Sequence, residues 1–166
     1  MSGNNARIRV LFVCTGNICR SPTAEGVFRA MVEATGLAGA VEVDSAGTTD
    51  FHSGEPPDAR ARMAALGRGI DLGGQRARRI CADDFERFDF VVAMDRTHRR
   101  ELLRLCPKSL AGRVRLFMES APQCATLDVP DPYYSGLGGF DYVLDLIEAG
   151  AAGLLQDVRT ALNAAE

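Results

Sequence analysis

One stretch constrains this chain more than any other: Ile8-Arg9-Val10-Leu11-Phe12-Val13-Cys14-Thr15-Gly16-Asn17-Ile18-Cys19-Arg20-Ser21-Pro22. Residues 8–13 are β-rich and almost continuously apolar, the pattern of a strand buried on both faces. A helix start follows at once. Ser21 suits the N-cap and Pro22 the first helical position. Ala24, Val27, Phe28 and Met31 then recur at helical spacing, and Gly36 marks a stop. Strand and helix leave only a short loop between them, and that loop holds two thiols and a guanidinium.

The alternation continues. Residues 41–43 read as a second strand, ending at Asp44-Ser45-Ala46-Gly47-Thr48. A loop rich in Gly and Pro precedes a helix at 58–66. Residues 88–93 form a third strand and 97–105 a helix that stops before Pro107. Residues 113–117 make a fourth strand, followed by a long loop carrying Asp128-Val129-Pro130-Asp131-Pro132-Tyr133-Tyr134. The last helix aligns Phe140, Val143, Leu144, Ile147, Ala151, Leu154, Val158 and Leu162 on one stripe, with Gly150 and Gly153 as weak points. Alternating strands and helices imply a parallel α/β sheet with right-handed crossovers. Ligands of such sheets bind beyond the carboxyl ends of the strands. Cys14, Ser45, Met94-Asp95 and the loop after the fourth strand all fall there.

The bulk numbers narrow the class. With 166 residues, 46% of them hydrophobic, one domain is expected, at 7–166 behind a polar tail at 1–6. A net charge of -3 is too mild for a nucleic-acid binder, and the cluster Arg76, Arg78, Arg79 reads as a solvated face. Residues 10–13 are too short for a signal-peptide core or a membrane span, so a cytoplasmic location without a membrane partner is expected. The five cysteines are odd in number and irregularly spaced, which argues against a secreted disulfide framework. With no CxxC pair, and with His52 and His98 far apart, neither metal nor cofactor is expected.

The first loop carries the chemistry. A helix N-terminus offers unpaired N–H groups and partial positive charge, which suits an anion. Gly16 lets the backbone turn. Arg20 can grip two oxygens of a phosphate-like group in a fork. An anion held there has the Cys14 sulfur beneath its central atom. A positive field of this kind favours thiolate over thiol. A lone strand-end cysteine is ordinarily buried and inert; the strand, Cys, Gly, Arg, Ser-Pro, helix series marks Cys14 as a nucleophile toward phosphorus. The loop is no nucleotide P-loop, because GxxxxGK[ST] is missing. Phosphoryl transfer also gains from a general acid. Asp131, with proline on both sides to restrict its backbone, is the best one in the sequence.

VCTGNICRSPTAE with a late DVPDPYY closely resembles the low-molecular-weight protein tyrosine phosphatases. The likeness runs from about residue 7 to 162 and includes DSAGT, GEPPDAR and AMD. It implies a flavodoxin-like three-layer α/β/α fold with a central four-stranded parallel sheet. It implies a metal-independent cysteinyl-phosphate mechanism on phosphotyrosine proteins and small aryl phosphates. Cys14 would be the nucleophile, Arg20 the phosphate clamp and Asp131 the general acid. Backbone N–H groups of Thr15, Gly16, Asn17, Ile18, Cys19 and Arg20 would cradle the phosphate, and Ser21 would hydrogen-bond the thiolate. Asn17, Ser45, Gln75 and Asp95 would support the loop. Ile18, Phe51, Tyr133 and Tyr134 would wall the substrate slot. Cys19 would form a reversible disulfide with Cys14 under oxidation, or simply pack.

The chain departs from the family pattern in places. Phe51 stands where Trp or Tyr is frequent. Gln75 stands where histidine is common, with a working network still expected. His98 stands where Asn is usual, and none of the three is expected to touch the chemistry. Two alternatives share the architecture: a thioredoxin-linked arsenate reductase and an inactive phosphotyrosine-binding module. The former lacks its close cysteine partner for Cys81, and the latter is at odds with Cys14, Arg20, Ser21 and Asp131 occurring together. Oligomeric state stays open, a weak homodimer included.

Overall fold

Four parallel strands lie in the order β2-β1-β3-β4 in the computed structural model. They are β1 (Ile8–Cys14), β2 (Val41–Gly47), β3 (Phe90–Ala93) and β4 (Val114–Leu116). Between and after them come α1 (Arg20–Ala34), α2 (Ala59–Leu66), α3 (Ala82–Arg87), α4 (Arg96–Leu105) and α5 (Leu137–Ala164). The structure describes residues 7–134 and 137–164, without the side chains of Tyr134 and Leu137. The expected tail at 1–6 lies outside the described residues. No described helix is long and apolar enough to cross a membrane.

The two-sided burial of β1 explains its apolar run. Val10, Phe12 and Cys14 face a core built with α1 and α5, while Leu11 and Val13 face a second core completed by α3 and α4. Phe12 stands at the centre of the first, edge-on to Phe28 at 5.6 Å and to Phe117 at 5.7 Å. Helices thus cover both sheet faces, the expected three-layer α/β/α arrangement. The strand order reverses direction between β1 and β3, and the carboxyl ends there open a crevice. Cys14 closes β1 at that point.

Several boundaries differ from expectation. β2 runs on to Gly47, because the DSAG segment keeps pairing with β1 as far as Cys14 opposite Gly47. α1 begins at Arg20 with Cys19 as its cap residue, not at Ser21-Pro22. The Ser21 hydroxyl is turned toward Cys14 and Asn17 instead of capping. Pro22 still sits within the first turn, where its missing N–H has no intrahelical partner to lose. β3 begins two residues later than expected, at Phe90. α3 was not expected; Asp84 closes its start by accepting from the Cys81 N–H at 2.8 Å. α5 runs unbroken through Gly150 and Gly153. A Cβ at Gly150 would lie 2.5 Å from the Phe117 ring, and one at Gly153 only 1.8 Å from the Ser120 carbonyl oxygen. These glycines admit the segment after β4 against the helix.

Candidate active site

The loop from Cys14 to Arg20 is held from below by the sheet and from the side by residues 48–49. Thr48 N–H donates to the Cys14 carbonyl at 2.9 Å, and Thr49 N–H to the Thr15 carbonyl at 3.1 Å. Gly47 allows this approach, since a Cβ there would stand 2.6 Å from the Thr15 oxygen. Asn17 turns the loop with φ of 58°. Asn is among the few residues that tolerate this region. Among the described residues, no hydrogen-bond partner is found for the N–H groups of residues 15–19. Successive free amides around a left-handed residue are an anion-binding nest.

A buried chain of side chains braces the nest. Cys14 Sγ is 2.9 Å from Ser21 Oγ. Asn17 Nδ2 donates to Ser21 Oγ at 2.8 Å and to Ser45 Oγ at 2.9 Å. Its Oδ1 accepts from the Arg78 N–H at 3.0 Å. Ser45 Oγ in turn donates to Glu25 Oε1 at 2.7 Å. Arg29 closes the far end, donating to Glu25 at 2.6 Å. Burial pushes the Glu25 carboxyl above its ordinary range, against the pull of Ser45 and Arg29.

Arg20 is buried, and its guanidinium is fixed before any ligand arrives. One nitrogen donates to Asp95 Oδ2 and to the Val129 carbonyl, both at 2.9 Å. The other lies 3.5 Å from His98 Nε2 and 3.7 Å from Asp131 Oδ2. His98, 1% exposed, also meets Thr15 Oγ1 at 2.8 Å. Its Nδ1 faces Asp95 Oδ1 at 3.1 Å. Burial first, and the Arg20 charge second, lower the imidazole to about 4. His98 is therefore neutral near pH 7, and its Nε2 lone pair can face the guanidinium.

Above the nest opens a cavity of about 280 Å³, lined by Cys14, Ile18, Arg20, Phe51, Asp131 and Tyr133 among others. Asp131 is aimed by a local turn in which its Oδ1 accepts from Tyr133 N–H at 2.9 Å. Arg60 holds Tyr133 from behind: it donates to the Tyr133 carbonyl at 3.0 Å and lies 5.1 Å from the ring centroid. Polar floor, apolar walls and one carboxylate near the mouth suit a flat aryl group ending in an oxyanion.

The family model described as low molecular weight phosphotyrosine protein phosphatase matches residues 9–164. The chain belongs to that family. It is 51% identical over 156 residues to a low molecular weight protein-tyrosine-phosphatase of Streptomyces coelicolor, covering 91% of this chain and 93% of that one. A crystal structure of a protein tyrosine phosphatase from Entamoeba histolytica, with Hepes in its active site, aligns with a TM-score of 0.90 at 35% identity over 93% of this chain and 98% of that one. A structure described as a Drosophila arginine phosphatase aligns with a TM-score of 0.85 at 31% identity, over 91% and 98%.

Within this family's fold the structure gathers Cys14, Thr15, Gly16, Ile18, Cys19, Arg20, Phe51, Asp131 and Tyr133 around one cavity. Asn17, Ser21, Ser45 and Asp95 lie directly behind it, by the bonds above. The Tyr134 side chain lies outside what the structure describes. Gln75 does not reach the loop as expected. Its Nε2 donates to the Pro22 carbonyl at 2.9 Å, and its Oε1 is buried without a partner among the described residues. Pro22 lies in the first turn of α1, so Gln75 ties to the helix start and not to the loop itself. Cys19 fills a small apolar cluster with Ala61 and Phe140. Burial, then the Asp58 carboxylate, push its thiol well above the ordinary range. A buried, protonated thiol exchanges slowly with disulfides, so this geometry supports packing.

Sequence reasoning missed three residues. His98, expected to stay clear of the chemistry, touches both Thr15 and Arg20. Glu25 anchors the brace; it closes the quoted VCTGNICRSPTAE motif but was given no role there. His52 covers Gly16, where a Cβ would lie 2.9 Å from its ring, and lines the cavity beside Phe51.

Proposed function

We propose that this chain is a protein tyrosine phosphatase that hydrolyses phosphotyrosine in proteins, and small aryl phosphates, through a cysteinyl-phosphate intermediate. One observation carries the reading: Cys14, Arg20 and Asp131 line the same cavity, beneath the apolar walls Ile18, Phe51 and Tyr133. In the first step the Cys14 thiolate attacks phosphorus and the bond from phosphorus to the tyrosyl oxygen breaks. Asp131, protonated, gives its proton to that oxygen, so a neutral phenol leaves. In the second step the Asp131 carboxylate takes a proton from water. The water oxygen attacks phosphorus, and the S–P bond breaks to return the thiolate. Ser21 Oγ, 2.9 Å from the sulfur, donates to it as charge returns. Arg20 and the free N–H groups of the nest hold the equatorial oxygens throughout.

The walls set the leaving group. A phosphoserine lacks the length to bring phosphorus down to buried Cys14, a residue only 3% exposed, whereas a phenyl ring spans the slot. One structural neighbour is an arginine phosphatase. A phosphoarginine would bring a guanidinium into this slot, and Asp131 is the one acidic residue among the described lining residues. The aryl reading therefore fits better. The five cysteines, all free, suit a reducing compartment, and the proposal places the enzyme in the cytoplasm.

The test compares phosphotyrosine, phosphoserine and phosphoarginine peptides with wild type, Cys14→Ser and Asp131→Asn. Wild type is expected to turn over phosphotyrosine alone. Cys14→Ser should lose at least on the order of 10⁴-fold in kcat while still binding phosphate. Asp131→Asn should lose about 10²–10⁴-fold. Normal turnover by Cys14→Ser, or a preference for phosphoarginine, sinks the reading.

A further inference from the structure

A second cavity, of about 290 Å³, adjoins the catalytic one and shares Thr15 and Thr49 with it. Its charged lining residues are Arg79, Arg104 and Glu101. The basic cluster of the sequence explains why Arg79 is available. Arg76 turns back onto the Gly73 and Gln75 carbonyls, at 3.0 and 2.7 Å. Arg78 is locked between Asp84 and Asp44, at 3.0 and 3.1 Å. Arg79 alone of the three has no hydrogen-bond or ion-pair partner among the described residues, and it is the one that lines this cavity.

Arg79 is also well placed. Its backbone bridges to Gly47, with Gly47 N–H donating to the Arg78 carbonyl and Ile80 N–H to the Gly47 carbonyl, both at 2.8 Å. Gly47 in turn packs on Thr15 of the catalytic loop. Arg104 reaches the same cavity from the last turn of α4, again without a described partner. Two exposed guanidiniums without a described partner, side by side next to a phosphate-binding loop, can both be offered to an anionic ligand. Guanidinium forks favour carboxylate and phosphate oxygens.

We propose that Arg79 and Arg104 form an anionic subsite, which takes a second acidic group of the substrate chain close to the phosphotyrosine held over Cys14. The inference rests on the phosphotyrosine reading above. Thr15 and Thr49 form the shared rim, so a substrate strand crossing them places a neighbouring side chain over the two arginines. A dianionic phosphate engages both guanidiniums; a carboxylate engages them more weakly. Glu101 opposes either anion and keeps the unoccupied site from being strongly basic.

The experiment uses phosphotyrosine peptides with alanine, glutamate or phosphoserine at one flanking position, scanned from two residues before to two after. In wild type, kcat/KM at one flanking position or more should rise roughly five- to tenfold from alanine to phosphoserine, with glutamate between, as expected for exposed charge pairs. The gain should shrink in high salt. R79Q with R104Q should bring the ratio to within twofold of one, leaving the alanine peptide and p-nitrophenyl phosphate unchanged. E101Q should raise the ratio. No acidic preference in wild type, or a preference kept by the double variant, overturns the subsite. Failure to hydrolyse the alanine peptide, with p-nitrophenyl phosphate still turned over, overturns the phosphotyrosine reading and the subsite with it.

Discussion

The floor of the catalytic cavity and its rim are built on opposite plans. On the floor, Cys14, Asn17, Arg20, Ser21 and Ser45 are all buried, and each has at least one hydrogen-bond partner at 2.9 Å or closer. On the rim, Phe51 is 80% exposed, and His52 is held by its neighbour Glu55. Tyr133, 39% exposed, leans on the half-buried Arg60. The floor must present donors and sulfur to a phosphate within tenths of an ångström, because its stabilisation depends on preorganisation. The rim is made of exposed side chains with few buried bonds, which lose little when they move. Changes to the floor should therefore cost stability and rate together, whereas changes to the apolar walls of the rim, apart from the acid Asp131, should cost neither stability nor kcat.

Asn17 tests the floor most severely. Its side chain makes three hydrogen bonds, two of them buried and one half-buried, and its φ is 58°. Asn17→Ala removes all three and leaves Ala in a left-handed conformation. At about 1 kcal/mol per bond, plus about 1 for the backbone, the loss should be roughly 4 kcal/mol by urea unfolding. The kcat should fall at least tenfold, because Ser21 and Cys14 lose their brace. Asn17→Gly separates the two contributions: it should recover about 1 kcal/mol of the backbone cost and none of the rate. If both variants stay within 1 kcal/mol of wild type, the floor is not held by this network.

His98 sharpens the comparison, since it belongs to the floor although its sequence position promised nothing. The groups that face it are Arg20, Thr15, Asp95, Asp128 and Asp131. Its folded pKa, about 4, lies below the ordinary 6.5. The folded state thus disfavours its protonated form. The stability linked to neutral His98 is fully present above pH 6.5 and is lost as pH falls from there through about 4. The slope for one proton reaches about 1.4 kcal/mol per pH unit. His98→Asn should cost about 1–2 kcal/mol at pH 7 through lost contacts. It should also make stability fall less steeply than wild type between pH 6.5 and 4.5. Parallel stability curves across that window would remove His98 from the floor's electrostatics.

What could be read from the sequence and what could not divides along similar lines. The strand, loop and helix around Cys14 were legible because burial on both faces and the 3.6-residue period are local signals. That Cys14, Arg20 and Asp131 meet at one cavity was anticipated from spacing, residue chemistry and the family resemblance together. The brace was not. Glu25 meets Ser45 across 20 residues, and His98 meets Thr15 across 83; nothing local in either segment marks the partner. The start of α1 was misread for the same reason, because Ser21 bonds to the loop before it instead of capping the helix. α3, only six residues long, has too few turns for periodicity to show. Gly150 and Gly153 read as helix weakness because their partners, Phe117 and Ser120, lie in another element.

Phe51 gives the smallest expected effect and tests the other half of the comparison. Phe51 contributes no core packing, being absent from every apolar cluster of buried residues. Phe51→Ala should therefore leave unfolding stability within about 0.5 kcal/mol of wild type. Its ring can still cover one face of a bound phenyl group, a contact worth about 1 kcal/mol. That corresponds to a KM for phosphotyrosine peptides roughly fivefold higher, with kcat unchanged. Inhibition by inorganic phosphate, which reaches the floor and not the walls, should not move. A drop in kcat, or weaker phosphate inhibition, would mean that the rim helps to position the floor, and the division between the two regions would fail at this residue.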